Sequence, residues 1–330
     1  MNLKLSLGVA ANPRTRPVLE GAVKPEGIDF IPSVVDVAEL FWRQMKFADF
    51  DVSEMSVSSL MVMKALGDED WVGLPIFTTR RFFHTNTWVR KDAGINTPAD
   101  LKGKRIGVPE YQQTAALWTR GAFEHEWGVS PRDMIFHMER VATHSHAGAT
   151  AFKAPPGVTI HFMPPEKSIG SMMASGELDV AICYNQKKTL IDRSLVDLAN
   201  HPDIKPMFAD NNVEGARDRN KTGLLPINHG MVIRRSILEK HPWAALNILA
   251  AFNEANAIAD KQRIEHNEYY FATGIIPPEA AAAVRQPLIH HGVVANRKVL
   301  ETIAAYSFEQ GLTPRLMKVE ELFAKSTINQ

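Results

Sequence analysis

Residues 101–128 read LKGKRIGVPEYQQTAALWTRGAFEHEWG, and this stretch decides the fold class. Lys104–Val108 is a short β-rich run, which predicts a strand. Pro109–Gln113 predicts a turn, and Thr114 opens a segment whose apolar residues recur at helical spacing. Gly128 suits the left-handed conformation that commonly ends a helix. The stretch therefore predicts a strand–turn–helix unit of an α/β protein.

The same alternation of strands and helices precedes this unit. Leu3–Val9 alternates apolar residues with smaller or polar ones, which predicts a strand, and Ile28–Val35 and 51–55 predict two more. Asp36 can cap a helix after the second strand, and Leu60–Leu66 predicts a helix after the third. This order predicts a parallel sheet covered by helices.

A second series of elements follows residue 128. The pattern predicts a strand at 158–163, a helix over 165–175 that starts at a proline, and a strand at 178–183. We expect the Pro/Gly/Ala-rich stretch 145–157 and the charged run 214–221 to be loops. The chain is thus predicted to be α/β along most of its length.

Composition excludes several classes of function. The chain has 330 residues, with 37 Lys plus Arg and 37 Asp plus Glu, so it has no net charge with which to attract nucleic acid or an anionic membrane. Its single cysteine, Cys183, excludes a disulfide framework and is expected to be an inert small apolar residue. No stretch approaches 18 apolar residues, and the N-terminal pattern is that of a strand rather than a signal helix. We therefore expect a cytoplasmic protein.

Two motifs resemble a known fold. Leu101–Val108 is similar to the strand that opens the second lobe of type II periplasmic-binding proteins, and Ser175–Ala181 is similar to their later helix-to-strand segment. The resemblance implies two α/β lobes, each a mixed, mostly parallel sheet flanked by helices, with a ligand cleft between them. It implies a first lobe of residues 1–84 plus 225–330, with extra C-terminal helices, and a second lobe of residues 85–224.

A second set of motifs extends over nearly the whole chain. It comprises Val108–Ala115 with Trp118 and Arg120-Gly121, Arg80 with Phe82–His84, Pro226–His229 with Val232–Arg235, His241–Trp243, Glu309–Leu312 and Glu321–Ala324. Together these residues resemble the 4,5-dihydroxyphthalate decarboxylase family. Phe83 stands where that family often has a second arginine, Asn228 where a methionine is usual, and 217–220 lacks an expected aromatic pair. These departures concern the substrate rather than the fold.

The family resemblance implies cofactor-independent decarboxylation of a hydroxylated, phthalate-like aromatic acid in aromatic catabolism. A hydroxyl para to the carboxylate feeds electron density into the ring carbon, so protonation of that carbon can release CO2 without a metal or an electron-sink cofactor. The implied partner is a small aromatic carboxylate, and no metal and no cofactor are expected. The alternative is a substrate-binding protein for a small aromatic or organic anion of an ABC-type importer.

Turns between strands and helices are suited to hold such an anion, because helix N-termini offer unpaired N–H groups. The candidate substrate-binding residues in or beside these turns are Asn12, Arg14, Ser56, Tyr111, Gln112, Thr114, Tyr184, Asn185 and Asn228. Arg14 and Arg80 can each clamp a carboxylate through two parallel hydrogen bonds. The family resemblance favours Arg80, for which the alternative is a solvated surface arginine.

Three residues are candidates for proton transfer. His84 and His229 lie near the two predicted crossovers between lobes, and imidazole exchanges protons near neutral pH. For both histidines the alternative is a structural role. Glu110 could accept a phenolic proton. Alternatively, its carboxylate could only interact with the partial positive charge at the N-terminus of the following helix. Tyr111 could cover the substrate ring or belong to the core.

Two further expectations concern ligands and assembly. His144-Ser145-His146, with His161 later, has a spacing that can bind a metal, but it lies in a Gly/Ala/Pro-rich stretch without an acidic ligand. We therefore expect a solvated loop there. The extra C-terminal helices are compatible with a homo-oligomer.

Overall fold

A computed structural model of the chain describes residues 1–330. The strands are β1 (Leu3–Val9), β2 (Ile28–Val34), β3 (Val52–Ser56), β4 (Trp71–Arg80), β5 (Thr87–Arg90), β6 (Arg105–Val108), β7 (Ile135–Met138), β8 (Thr159–Phe162), β9 (Val180–Ile182), β10 (Ile204–Pro206) and β11 (Ile227–Arg234). The helices are α1 (Arg16–Leu19), α2 (Val37–Phe47), α3 (Val57–Ala65), α4 (Thr114–Trp127), α5 (His146–Ala149), α6 (Ile169–Ser175), α7 (Asn211–Thr222), α8 (Arg235–Lys240), α9 (Ala244–Ala272), α10 (Pro278–Val284), α11 (Arg297–Glu309) and α12 (Val319–Leu322). None of these helices is both long enough and apolar enough to cross a lipid bilayer.

The first sheet has the strand order β2-β1-β3-β11-β4. β1 pairs in parallel with β2 and with β3, as expected of strands that are joined through helices. β11 lies antiparallel between β3 and β4, although it follows the whole second sheet in sequence. In this register His229 lies opposite Ser56, so β11 brings together residues from distant parts of the chain.

The second sheet has the order β10-β5-β9-β6-β7-β8. Strands β9, β6, β7 and β8 are parallel, β5 pairs antiparallel with β9, and β10 pairs antiparallel with β5 at the edge. The two sheets form the cores of two lobes, since the first takes strands from 3–80 and 227–234 and the second from 87–206. The finer division at 84/85 and 224/225 stays a prediction.

The strand–turn–helix unit of 101–128 is confirmed. Helix α4 begins at Thr114, and Gly128 ends it with φ of 67°, in the left-handed region that glycine adopts without strain. The predicted helix start at Pro165 is wrong, because α6 begins only after Ser168, whose hydroxyl accepts a hydrogen bond from the amide of Ser171 at 3.2 Å.

The loop predicted at 214–221 is also wrong, since these residues belong to α7. The carboxylate of Asp210 caps this helix by accepting hydrogen bonds from the amides of Asn212 and Val213. Arg217 then pairs with Glu214 one turn earlier in the same helix. Local capping and charge pairing therefore stabilise a helix that lacks an apolar stripe.

Helix α11, the last long helix of the chain, contacts both lobes. On the second lobe, the Tyr306 ring lies 5.5 Å from the Trp118 ring and fills the space beside Gly121, where a Cβ would be 2.1 Å from a ring atom. Gln310 accepts a hydrogen bond from Nε of Arg120 at 2.8 Å. On the other side α11 packs against α3 of the first lobe. One apolar cluster therefore continues from lobe to lobe.

Candidate active site

A cavity of about 250 Å³ lies between the lobes. The first lobe contributes the first turns of α2 and α3 and the beginning of β11. The second lobe contributes the first turns of α4 and α5 and the segment after β9. Ligand pockets are typically about 300–1,000 Å³, so this cavity suits a ligand of one ring.

The first-lobe wall contains a buried carboxylate–imidazole pair formed by Glu54 and His229. Glu54 Oε1 lies 2.8 Å from Nδ1 of His229. The same carboxylate accepts hydrogen bonds from Oγ1 of Thr78 at 2.5 Å and from the amide of Ala10 at 2.9 Å. Burial would raise the pKa of Glu54, but these hydrogen bonds together hold that pKa below its usual range. The ionised carboxylate therefore keeps a proton on Nδ1 of His229.

The other ring nitrogen of His229, Nε2, has one neighbour in the chain, Asn228, which also lines the cavity. Nδ2 of Asn228 lies 2.7 Å from Nε2 and donates to it when the imidazole is neutral. The Phe41 ring meets the imidazole edge to face, with the ring centres 4.7 Å apart. The imidazole is thus held by a carboxylate on one side and an aromatic ring on its face.

The starts of α3 and α4 meet at the cavity. Oγ of Ser56 and Oγ1 of Thr114 are 2.8 Å apart, and Thr114 also accepts a hydrogen bond from the amide of Ser58 at 3.0 Å. Helix α4 has neither a side-chain cap nor an acidic residue in its first turn. Its N-terminal partial positive charge is therefore unneutralised beside the cavity, which favours a carboxylate there.

The second-lobe wall contains a buried ion cluster. Arg140 pairs with Asp192 at 2.7 Å and with Glu110 at 3.3 Å, and Glu110 also accepts a hydrogen bond from the amide of Ala147 at 2.6 Å. Burial would lower the pKa of Arg140, but the two carboxylates raise it above its usual value. Glu110 is inaccessible to solvent and lies behind Arg140 rather than on the cavity surface.

Two further cations line the cavity. Arg81 is exposed and forms no ion pair, and its guanidinium carbon lies 5.7 Å from the centre of the Phe83 ring. Lys187 of the second lobe pairs with Asp36, the residue that caps α2 in the first lobe. The Asp36–Lys187 pair therefore connects the two walls. The guanidinium of Arg81, in contrast, can form an ion pair with a ligand.

His146 lies in this wall rather than in a solvated loop. Only 2% of the residue is exposed, and its Nδ1 is 3.0 Å from Oγ of Ser59 in the first lobe. Burial lowers the pKa of His146 to about 4, so its imidazole is neutral at physiological pH. Nε2 has no hydrogen-bond partner. No group of three or more His, Cys, Asp or Glu side chains is placed to hold a metal ion.

Five of the candidate catalytic and substrate-binding residues line the cavity: Ser56, Thr114, Asn185, Asn228 and His229. They come from four separate segments of the chain, which the two sheets and the strand β11 bring to one place. The remaining candidates lie elsewhere.

Arg80 and His84 are tied to structural partners outside the cavity. Arg80 donates hydrogen bonds to the carbonyl of Leu225 at 2.8 and 3.2 Å and to Oδ1 of Asn296 at 2.7 Å, and burial lowers its pKa to about 10. Nε2 of His84 lies 2.9 Å from Glu214 of α7. Both residues thus connect the crossover segment to neighbouring elements.

Asn12 and Arg14 belong to the first turn after β1. Oδ1 of Asn12 accepts a hydrogen bond from the amide of Arg14 at 2.9 Å, and Nη2 of Arg14 donates to the carbonyl of Thr78 at 2.8 Å. Arg14 faces a different cavity, of about 440 Å³, beside α9. Neither residue is brought together with His229.

Three candidates of the second lobe are buried behind the cavity surface. The Tyr111 ring stacks under the guanidinium of Arg120 at 3.7 Å and belongs to the core. Gln112 donates a hydrogen bond to Ser59 at 3.3 Å, so it supports the partner of His146. The hydroxyl of Tyr184 donates to the carbonyl of Val196 at 2.5 Å.

Sequence reasoning missed several residues of this site. They are Glu54, Arg81, Arg140, His146, Lys187 and Asp192. Glu54 carried a usable signal, because a charged residue inside a strand whose residues are all buried requires a partner. The others had no such signal, since their place at the cavity depends on distant parts of the chain.

Two curated relatives are similar to the chain over most of its length. A 4,5-dihydroxyphthalate decarboxylase from Comamonas testosteroni is 32% identical over 329 residues, covering 99% of this chain and 98% of the relative. A protein of the same name from Pseudomonas putida is 38% identical over 214 residues, covering 63% of this chain and 78% of the relative. A family profile described as NMT1/THI5 like matches residues 63–144.

The solved structure of the alkanesulfonate-binding protein SsuA from Xanthomonas axonopodis pv. citri, bound to MOPS, has a similar fold. Its TM-score is 0.55 at 13% identity, covering 98% of this chain and 97% of that protein. The type II periplasmic-binding-protein fold predicted from the sequence is thereby confirmed. At this identity the likeness concerns the fold alone.

Proposed function

This chain belongs to the 4,5-dihydroxyphthalate decarboxylase family, and we propose that it is a carboxy-lyase that releases one carboxylate of a dihydroxylated, phthalate-like aromatic acid as CO2 in aromatic catabolism. The observation that carries the proposal is the Glu54–His229 pair at a cavity that also presents the unpaired Arg81. This combination offers a group for proton transfer and a cation for an aromatic carboxylate.

The reaction consumes one proton for each CO2. The hydroxyl para to the departing carboxylate loses its proton, and the ring carbon that bears this carboxylate gains one, which gives a dienone. The bond to the carboxylate then breaks, its electron pair returns to the ring as CO2 leaves, and the phenolate that results takes up a proton, which makes the net uptake one proton. The substrate's own hydroxyl stabilises the intermediate, so the protein needs to supply positioning, proton transfer and a dry cavity.

His229 is the proton donor to the ring carbon in this proposal. Its Nδ1–H is directed at Glu54 at 2.8 Å, and the carboxylate stabilises the imidazolium that exists before the proton is given up. Nε2 is then the nitrogen that faces the ring. Nδ2 of Asn228, 2.7 Å away, can donate to this nitrogen only when the ring is neutral, so in this proposal it hydrogen-bonds Nε2 after the proton has been transferred.

Arg81 and the start of α4 hold the carboxylate that is retained. Arg81 has a planar guanidinium without a carboxylate partner, which suits it for two parallel hydrogen bonds. The proposal thus gives Arg81 the role that the sequence suggests for Arg80, whose donors are already used by Leu225 and Asn296. Ser56, Thr114 and Asn185, which line the same cavity, complete the binding surface in this proposal.

The second candidate function is a binding protein for a small organic anion of an importer. The fold shared with SsuA favours it, because the same cleft would serve binding without chemistry. The two functions differ in one product, since only the decarboxylase releases CO2.

The deciding experiment incubates the purified protein with 4,5-dihydroxyphthalate and records CO2 release and the ultraviolet spectrum. We expect stoichiometric CO2 and a dihydroxybenzoate product, with the same rate after dialysis against EDTA. The His229→Gln variant at equal concentration is the matched control. Tight binding without CO2 from the wild-type protein would favour the importer function.

Location and assembly complete the proposal. A decarboxylase of aromatic catabolism works where its product is consumed, which places it in the cytoplasm. The exposed Tyr269 and Ile275 near the end of α9 support self-association, with a homo-oligomer as the expected state. Cell fractionation and light scattering of the purified protein test these two points.

A further inference from the structure

His146 connects the second lobe to the first. It is the first residue of α5, and Ser145 before it caps this helix. Its Nδ1 lies 3.0 Å from Oγ of Ser59 in α3. Its Nε2 is buried, has no partner in the chain, and belongs to the wall of the cavity. Buried polar atoms are nearly always hydrogen-bonded, so an orphan atom at a ligand cavity indicates a missing ligand atom.

The surrounding hydrogen bonds determine which nitrogen carries the proton. Oγ of Ser59 already accepts a hydrogen bond from Nε2 of Gln112 at 3.3 Å, and Oε1 of Gln112 accepts one from Thr150 at 2.8 Å. The remaining neighbour of the Ser59 hydroxyl is Nδ1 of His146, so the hydroxyl proton points there. On this network we assign Nδ1 as the acceptor, which leaves the proton of the neutral ring on Nε2.

The surroundings also keep the imidazole neutral. Burial is the main cause of its lowered pKa, and the nearby Arg140 and His229 act in the same direction, while Glu110 and Asp192 oppose them. A neutral imidazole with a fixed N–H is a hydrogen-bond donor of constant charge. It differs from His229 in its partner, since Nδ1 of His229 lies against the carboxylate of Glu54.

We propose that His146 is a further catalytic residue, whose Nε2–H donates a hydrogen bond to the ring oxygen para to the departing carboxylate. This inference rests on the proposed decarboxylation. Negative charge gathers on that oxygen as the electron pair of the breaking carbon–carbon bond enters the ring and CO2 leaves. His146 gives up no proton in this step. A fixed donor in a dry site stabilises such charge without reorganisation.

The placement of the two histidines fits these roles. The Phe41 ring contacts both imidazoles, with ring centres 4.7 Å from His229 and 5.8 Å from His146. His229 belongs to the first lobe and His146 to the second. A substrate ring held between the lobes can thus present its carbon to one imidazole and its oxygen to the other.

The test uses His146→Phe, which keeps a ring and removes the donor. We expect kcat to fall by about 10²–10³-fold, the usual effect of losing one oxyanion donor, while KM changes little. A second readout is the titration of the phenol of bound 3,4-dihydroxybenzoate, followed by absorbance. The wild type should stabilise the bound phenolate, and the variant should titrate at higher pH. His144→Asn, in the same loop, is the control that leaves both unchanged.

A matched pair covers the case in which the Phe variant fails to fold. The amide of His146→Gln reaches the position of Nε2, whereas the shorter amide of His146→Asn does not, so the Gln variant should be faster. Equal kcat for Gln and Asn, or an unchanged phenol titration in a folded variant, would overturn the proposal. A wild-type protein that binds the phenol but releases no CO2 would overturn the proposed function instead, and the titration would still decide the donor.

Discussion

Glu54 Oε1 lies 2.8 Å from Nδ1 of His229, although the two residues are 175 positions apart in the chain. They meet because β11 lies between β3 and β4. The buried carboxylate determines which imidazole nitrogen bears the proton and which faces the cavity. The pairing of β11 with β3 and β4 thus determines which nitrogen of His229 can exchange a proton with a ligand.

The variant Glu54→Gln removes the charge of this pair while it keeps the size and most hydrogen bonds of the side chain. We expect kcat to fall by about 10²–10⁴-fold, the range of general acid–base catalysis, because the imidazolium loses its counter-charge. The measurement is the pH profile of kcat together with substrate affinity. The exposed Glu20→Gln is the control. A profile identical to the wild type would show that the carboxylate has no part in proton transfer.

Replacing His229 and His84 by Gln should give opposite results. His229→Gln should bind substrate and lose kcat by about 10²–10⁴-fold, since its Nε2 is the proton donor. His84→Gln should lower the melting temperature and keep kcat per folded molecule, because His84 pairs with Glu214 away from the cavity. Calorimetry and turnover on both variants separate these effects. A stable His84→Gln protein with lost turnover would return His84 to the mechanism.

Two neighbouring arginines should also differ. Arg81→Lys keeps the charge but loses the planar fork, so KM should rise by about 10- to 100-fold, which corresponds to about 1.5–3 kcal/mol for one charged hydrogen bond. Arg80→Lys should lower the melting temperature with KM nearly unchanged, because its partners are Leu225 and Asn296. Steady-state kinetics and thermal melts test the pair. A raised KM in Arg80→Lys alone would reverse the assignment.

Acid should destabilise the protein in part through His146. Its folded pKa is about 4, below the value of about 6.5 in the unfolded chain, so the unfolded state binds the proton first. This contribution to stability is complete above about pH 6.5 and is lost as the pH falls toward 4. His146→Phe should therefore lose less stability than the wild type over that interval. Equal losses in urea unfolding at pH 7 and pH 5 would contradict the assignment of a neutral, buried ring.

Local sequence pattern predicted most of the elements, with the start of α6 and the helix α7 as exceptions, but it did not predict the site. Gly128 marks the end of α4, because the left-handed conformation of a glycine is a local property. The roles of Arg80 and Arg81 were not accessible in this way. Arg80 ends β4 and turns to Leu225, while the next residue reaches the cavity, and only tertiary contacts distinguish them.

His146 was missed for a related reason. Its spacing from His144 is that of a metal motif, and the surrounding glycine and alanine indicate a solvated loop. The residue is buried because Ser59, far away in sequence, provides its hydrogen-bond partner. Burial that depends on contact between lobes produces no hydrophobic periodicity in the sequence.

The central position of β11 also determines the order in which the chain can fold on the ribosome. Every strand of the second sheet, within residues 87–206, is synthesised before β11 at 227–234. β3 and β4 do not pair with each other, so their facing edges stay open during this interval. The second lobe can therefore fold while the first sheet still lacks β11. His229 is the last residue of the cavity to be translated, and the nascent chain cannot hold substrate productively before it emerges.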